Sequence, residues 1–161
     1  MPADASQKPF KVKTTRFGEI EVPPENVVTM PHGMIGFPNY HRYLPIQHRE
    51  GSPFFWLQCL DEPSLAFVVV SPIHFDPQYQ VTLGQTETKL LEIKDPKQIQ
   101  VWVVVTIPHG QPDKMTANLK APVVINLDNR LGMQMILDNP AYSLRHPLAD
   151  LKNAGNQQPA K

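Results

Sequence analysis

Apolar and polar positions alternate with a period of two along much of this chain, in short stretches that end at turn residues. FKVKTTRF (10–17) and EIEV (19–22) interleave β-branched and aromatic residues with charges on either side of Gly18, which predicts a hairpin. VVTM (27–30) predicts a further strand. FFWLQCL (54–60) and LAFVVV (65–70) are apolar runs separated by Asp61-Glu62-Pro63-Ser64, a turn sequence, and predict a central hairpin. In the first run Phe54, Trp56, Gln58 and Leu60 share one face and Phe55, Leu57 and Cys59 the other. Both faces are largely apolar, so this strand should be buried on both sides. VWVVVTI (101–107) repeats the pattern, and PVVINL (122–127) and MQMIL (133–137) complete a second β-rich half.

Two-sided burial of short strands requires two packed layers or a closed barrel. The expected fold class is therefore mainly β: a small barrel-like or two-layer antiparallel β fold with at most one or two short helices. TKLLEI (88–93) is the helical candidate, with Thr86 or Thr88 as N-cap. PHGMIGFPNYHRY (31–43) holds Pro31, Gly33, Gly36 and Pro38, a density that predicts a shaped loop. No internal repeat is visible.

Composition sharpens this picture. The 161 residues, 41% of them hydrophobic, suit one domain with a real core. Eighteen prolines are roughly twice the usual share of ~5%, which argues against long helices. Residues 1–9 and 150–161 are polar and aperiodic, so they are expected to be flexible tails around a single β domain at 10–149. The longest apolar run, Val101 to Ile107, is far shorter than the ~20 residues a membrane helix needs. MPADASQKPFKVK shows no apolar core of a secretory signal, and the single cysteine, Cys59, suits a reducing compartment. A cytoplasmic protein is expected, without membrane association.

Fifteen Lys+Arg balance fifteen Asp+Glu, but the charges are segregated. Residues 50–88 carry no cation and five acids: Glu50, Asp61, Glu62, Asp76 and Glu87. A face that gathers three of them would attract a basic partner and repel nucleic acid. Pairing with distant Lys or Arg would instead leave ordinary surface charge. The aromatics Phe54, Phe55, Trp56, Phe67, Phe75 and Tyr79 lie in this same acidic third, the wrong sign for a phosphate backbone. Lys8, Lys11, Lys13 and Arg16 form a small basic stripe, interrupted by Glu19 and Glu21. An RNA-binding β-barrel is thus the alternative reading, and direct nucleic-acid binding is not expected.

Catalytic chemistry finds no motif. No two of the six histidines lie within four positions of each other, so the HxH and HExxH spacings are missing and no metal site is expected. Cys59 sits mid-strand, where a small buried hydrophobe is usual. Ser52, Ser64, Ser71 and Ser143 occupy no GxSxG elbow. Asp61 and Glu62 are adjacent, and adjacent carboxylates diverge on a strand or turn. HGMIGF (32–37) lacks the Lys-Ser/Thr of a phosphate loop. Neither an enzyme nor a cofactor is expected, and what remains is a protein-binding module. SPIHFDPQY (71–79) sets Phe75 and Tyr79 near Asp76 between prolines, either as anchors for a partner or turned inward to cap a barrel end. TIPHGQPDKMTANLKAP (106–122) offers Met115 and Asn118, the latter either exposed or bonding its own turn.

Five blocks carry a resemblance: FGEIEV (17–22), PHGMIGF (31–37), PFFWLQCLDEPSLAFVVVSP (53–72), MTANLKAPVVINLDNRLGMQ (115–134) and YSLRHPL (142–148). In this order they resemble the FliW family of flagellar assembly factors, over about residues 14–148. The resemblance implies a small, mostly β, barrel-like protein of the bacterial cytoplasm with no catalytic activity, expected to be a monomer when free. Its implied partners are flagellin and the RNA-binding translational repressor CsrA. Export of flagellin would free the protein to capture CsrA and relieve repression of the flagellin message, a partner switch driven by mass action. CsrA presents cationic surface to RNA, so the expected docking patch is Asp61, Glu62, Asp76 and Glu87, with Phe75 as anchor and Met115 and Asn118 beside it.

Overall fold

The computed structural model, which describes residues 8–148, has eleven strands. They are β1 Phe10–Thr14, β2 Gly18–Val22, β3 Val28–Thr29, β4 Arg42–Gln47, β5 Phe54–Cys59, β6 Ala66–Val70, β7 Ile99–Thr106, β8 Thr116–Ala117, β9 Val123–Asn126, β10 Leu131–Gln134 and β11 His146–Pro147. The alternating stretches supply all but β4, β8 and β11. One short helix, α1 Gln85–Leu90, joins β6 to β7. Four single 3-10 turns among the described residues each open on a proline, at Pro24, Pro72, Pro96 and Pro112, where a missing N–H costs nothing. The predicted tails, apart from Lys8 and Pro9, lie outside the described residues.

Strands β7, β6, β5, β4, β3, β10 and β9 pair in that order, and β9 pairs back onto β7, closing a seven-stranded barrel. Every contact in the ring is antiparallel except β3 with β10, where Leu131 lies opposite Thr29 in parallel register. β7 is the branch point. Residues Ile99 to Trp102 pair with β9, whereas Val105 and Thr106 pair with β8, which carries β11 beyond it. The fold is the mainly β, barrel-like class that the alternation predicts.

Three clusters form the core. Inside the barrel lie Val28, Tyr43, Leu57, Cys59, Val69, Trp102, Val123 and Ile125 from six of its strands, with Met30 and Met34 from the loop after β3. On the outside, the β1–β2 hairpin lays Phe10, Val12, Ile20 and Val22 over Leu44, Ile46 and Leu60. Its tip is fastened by Arg16, whose guanidinium lies 4.1 Å over the Trp56 ring, and by the Thr15 N–H donating to the Pro63 carbonyl at 3.0 Å. The remaining outer face, with Val70, Val103, Val105 and Val124, is covered by α1, the chain leading into it and the β8–β11 leaf.

Three sequence expectations are corrected. β4 has no counterpart among the predicted strands; its first two residues belong to the segment expected to be a loop, and Pro45 sits at its centre. Leu60 N–H donates to the Arg42 carbonyl and His48 N–H to the Phe54 carbonyl, so even-numbered residues of β4 bond β5. The N–H that Pro45 lacks would point the other way, past the start of β3, where no strand pairs it. Pro147 repeats the device on β11. Leu148 N–H bonds back to the Met115 carbonyl, so the position at Pro147 faces the open edge and leaves no donor there. The helix starts at Gln85 instead of Thr88, capped by neither threonine: the Glu87 carboxylate accepts the Gly84 N–H at 2.7 Å, and the Thr88 hydroxyl donates to the Gly84 carbonyl at 2.8 Å. The strand predicted at 133–137 is β10 at Leu131–Gln134, since Asn126, Asn129 and Arg130 (φ 62) make a tight turn that starts pairing earlier.

Candidate protein-docking surface

After β6 the chain does not return directly to the sheet; residues 71–84 form a strap that leads to α1. Pro72–His74 makes one 3-10 turn, and the N–H groups of Phe75 and Asp76 both donate to the Pro72 carbonyl. One turn can bury only one side. Phe75 turns inward, stacking on the His146 ring at 5.5 Å and packing on the cluster that holds Met115, while Ile73 is left 61% exposed. Tyr79 is buried beside Tyr142, with centroids 4.6 Å apart, and its hydroxyl donates to the Leu119 carbonyl at 2.6 Å. Burial pushes the Tyr79 phenol far above its ordinary range, so it stays neutral at any physiological pH. The Tyr142 hydroxyl accepts the Gln80 N–H. The strap is thus clamped at three points, and Phe75 and Tyr79 take the inward alternative. The apolar surface it presents is Ile73, together with Leu144 at 59% exposure; each is two residues from one partner of the Phe75–His146 stack.

The four acids of the expected patch sit in three separate elements, the β5–β6 turn, the strap and α1. Asp61 and Glu62 occupy the turn before β6, and Asp76 follows the far end of that strand. Each carboxylate has a local task. Asp61 accepts the N–H groups of His41 (2.9 Å) and Arg42 (3.1 Å) and the Arg42 Nε–H (3.0 Å), clipping the β5–β6 turn to the start of β4. Glu62 accepts both the N–H and hydroxyl of Ser64, Asp76 accepts the Gln78 N–H, and Glu87 caps α1. Met115 is buried, and Asn118 bonds its own turn through Oδ1, which accepts the N–H groups of Lys120 and Ala121. Of the seven residues, the fold joins Phe75 to Met115 in one cluster and Asp61 to Glu62 in one turn. What the sequence reading missed is Ile73 and Leu144, whose exposure depends on which residues the strap turns inward, and a cleft of about 900 Å³ lined by Glu25, Glu92 and Asp128 beside Arg42 and Arg130. Those acids lie outside residues 50–88, the segment whose charge stands out in the sequence.

Burial alone would raise the Asp61 carboxyl, but the His41 and Arg42 N–H groups and the guanidinium outweigh it and hold its pKa below the ordinary value. Asp61→Asn should therefore cost about 1–2 kcal/mol at pH 7, after allowing for solvent screening of an exposed pair. A depressed pKa means the unfolded chain binds the proton more readily. The contribution is complete above about pH 5 and disappears as the pH falls below ~4. Urea midpoints at pH 7 and pH 3 should show the wild-type and variant curves converging in acid; a constant gap would assign the clip's stability to packing.

Cys59 lies in the barrel interior opposite Tyr43, and burial pushes its thiol up, the reverse of an activated nucleophile. Among the described residues no three His, Cys, Asp or Glu side chains come together to hold a metal, and no helix is long and apolar enough to cross a membrane.

Residues 11–148 match the model of the FliW protein family, covering both hairpins, the barrel and the leaf. The chain belongs to the FliW family. It is 42% identical over 147 residues to the flagellar assembly factor FliW of Thermoanaerobacter pseudethanolicus, spanning 90% of this chain and 97% of that protein. It is 41% identical over 140 residues to the flagellar assembly factor FliW of Ruminiclostridium cellulolyticum, spanning 86% and 94%. A crystal structure of the flagellar assembly factor FliW superposes with a TM-score of 0.78 at 33% identity, covering 86% of this chain and 96% of that one. FliW proteins are flagellar assembly factors, which is not an enzyme class, and the barrel with one short helix is the FliW fold.

Proposed function

We propose that this FliW-family chain acts in the cytoplasm, without catalysis or cofactor, by binding flagellin and by capturing the translational repressor CsrA when flagellin is exported. The observation that carries this reading is the family match across the whole barrel. The clamped strap supports it, since a rigid apolar projection loses little entropy when it docks. The docking face we assign is Ile73, Leu144 and Asp76, with Phe75 and Met115 packed beneath Ile73 as its support, and Asn118, Glu87 and the Asp61–Glu62 turn as separate polar contacts. The free chain is a monomer on this reading, and Pro45 and Pro147 each remove one donor that strand addition could use.

Titration calorimetry with purified CsrA and with purified flagellin tests the proposal. Ile73→Glu should weaken at least one of the two by about tenfold or more, as loss of a buried apolar anchor does, with Tm unchanged. Unchanged affinity for both would remove the strap from the docking face. Charge reversal is best made at Glu62 alone, because reversing Asp61 also breaks the clip. The RNA-binding alternative is disfavoured by register: Lys11 lies opposite Glu21 and Lys13 opposite Glu19, and Arg16 lies on Trp56, so three of the stripe's four cations are already engaged within the fold. Salt-steep affinity of the chain alone for the flagellin leader RNA would revive it.

A further inference from the structure

The chain leaving α1 at Leu91 and Glu92 is held in a conformation that costs energy. Glu92 takes φ 54, a left-handed value unusual for a residue with a side chain. The buried Asn126 amide donates to the carbonyls of Leu91 (2.8 Å) and Glu92 (3.3 Å), and the Asn129 amide donates to Leu91 at 3.1 Å. The reversal sorts neighbouring side chains into different spaces. Glu92 lines the charged cleft by β10, while Ile93 and Lys94 line a separate cavity of about 560 Å³ between α1 and the outer faces of β7 and β9. That volume lies within the roughly 300–1,000 Å³ typical of small-molecule sites.

The cavity's walls are branched aliphatic, from Leu83, Ile93, Val101 and Val124 among others, and no carboxylate lines it. Two polar side chains reach it. The Thr88 hydroxyl already donates to the Gly84 carbonyl. Lys94 has no hydrogen-bond or ion-pair partner among the described residues, which makes it the one uncommitted donor at the rim. The acids nearest in sequence are otherwise engaged or turned away: Glu87 caps Gly84, Asp95 accepts the Lys97 N–H, and Glu92 faces the other cleft. An apolar cavity with a rigid wall, a single free cation and no anion is complementary to an aliphatic chain that ends in a negative group.

We propose that this cavity binds a medium-chain alkyl carboxylate, its tail among Leu83, Val101 and Val124 and its carboxylate at Lys94. Of the docking contacts only Glu87 adjoins this cavity, between Leu83 and Thr88, and the test leaves it unchanged, so the strap and the cavity can fail separately. The test uses the full chain with three probes of equal tail length: decanoate, decanol and decyltrimethylammonium. Calorimetry should rank decanoate tightest, and Lys94→Glu should weaken decanoate by about tenfold or more while leaving decanol unchanged. Methyl resonances of Val81, Leu83, Val101 and Val124 should shift on titration in both proteins, placing the tail in the cavity. Absence of saturable decanoate binding, equal binding of the cationic amphiphile, an unchanged affinity in Lys94→Glu, or methyl shifts confined to other regions would each overturn the assignment.

Discussion

Substituting Gly33 by alanine should lower the stability of the barrel by about 3 kcal/mol or more and its Tm by roughly 6–12 °C, a large effect for one methyl group on a surface loop. Gly33 has φ 67, and a Cβ there would overlap the Phe37 carbonyl oxygen and lie 2.9 Å from the Pro38 Cα. Both obstacles are backbone, which cannot rotate aside. The loop around it is fixed from several sides: the Gly33 N–H donates to the Met30 carbonyl, the Phe37 N–H to the Met34 carbonyl at 2.7 Å, and Met34 is buried in the barrel interior. Relieving the clash would withdraw Met34 from the core. Gly36, at φ 92 with open space around its Cβ position, is the internal control. Gly36→Ala should cost only the backbone preference, about 1–2 kcal/mol. Urea denaturation of the two variants measures the difference, and equal costs would mean that the loop yields easily and that the turn chemistry of PHGMIGF is not what fixes it.

Leu57→Ala should cost about 2–5 kcal/mol, towards the upper end of that range. Leu57 is fully buried on β5, inside the barrel with Val28, Tyr43, Val69, Trp102 and Ile125. A ring of strands closed by hydrogen bonds cannot collapse onto a hole as a loose surface can, so the cavity remains and the lining loses its contacts. The contrasting variant is Ile73→Ala, which should change stability by no more than about 0.5 kcal/mol because the side chain is largely in solvent. Chemical denaturation separates them. A small loss in Leu57→Ala would show that the interior repacks and that the barrel is less tightly specified than its burial indicates.

How far the sequence foretells this molecule depends on the range of the interaction. Strands whose pattern is local, such as the Phe10–Val22 hairpin and the Phe54–Val70 hairpin, are legible because alternation and turn residues coincide. β4 is not, since Pro45 reads as a break and becomes tolerable only through the shortness of β3, a fact of pairing instead of composition. Barrel closure is equally hidden: it rests on the parallel contact of Leu131 with Thr29 and on the division of β7 between two partners. At the candidate site, the charge segregation of residues 50–88 is legible in the sequence, but which of its two outcomes the fold takes, a gathered face or pairing with distant cations, is not. Asp61 finds Arg42 nineteen positions upstream, and the fold places Asp76 at the other end of β6. The orientation of the strap turns on the Tyr79 hydroxyl meeting the Leu119 carbonyl forty positions away, which leaves Ile73 outside. Such contacts have no local signature.

The partner switch is tested most directly by adding flagellin to a preformed complex of this chain with CsrA and following the CsrA released by its recovered binding to flagellin leader RNA. The account predicts that free CsrA rises with added flagellin until the chain is saturated, and that the chain alone leaves the RNA untouched. A stable assembly in which flagellin and CsrA are held together, neither weakening the other, would contradict it, as would failure of the chain to bind either one.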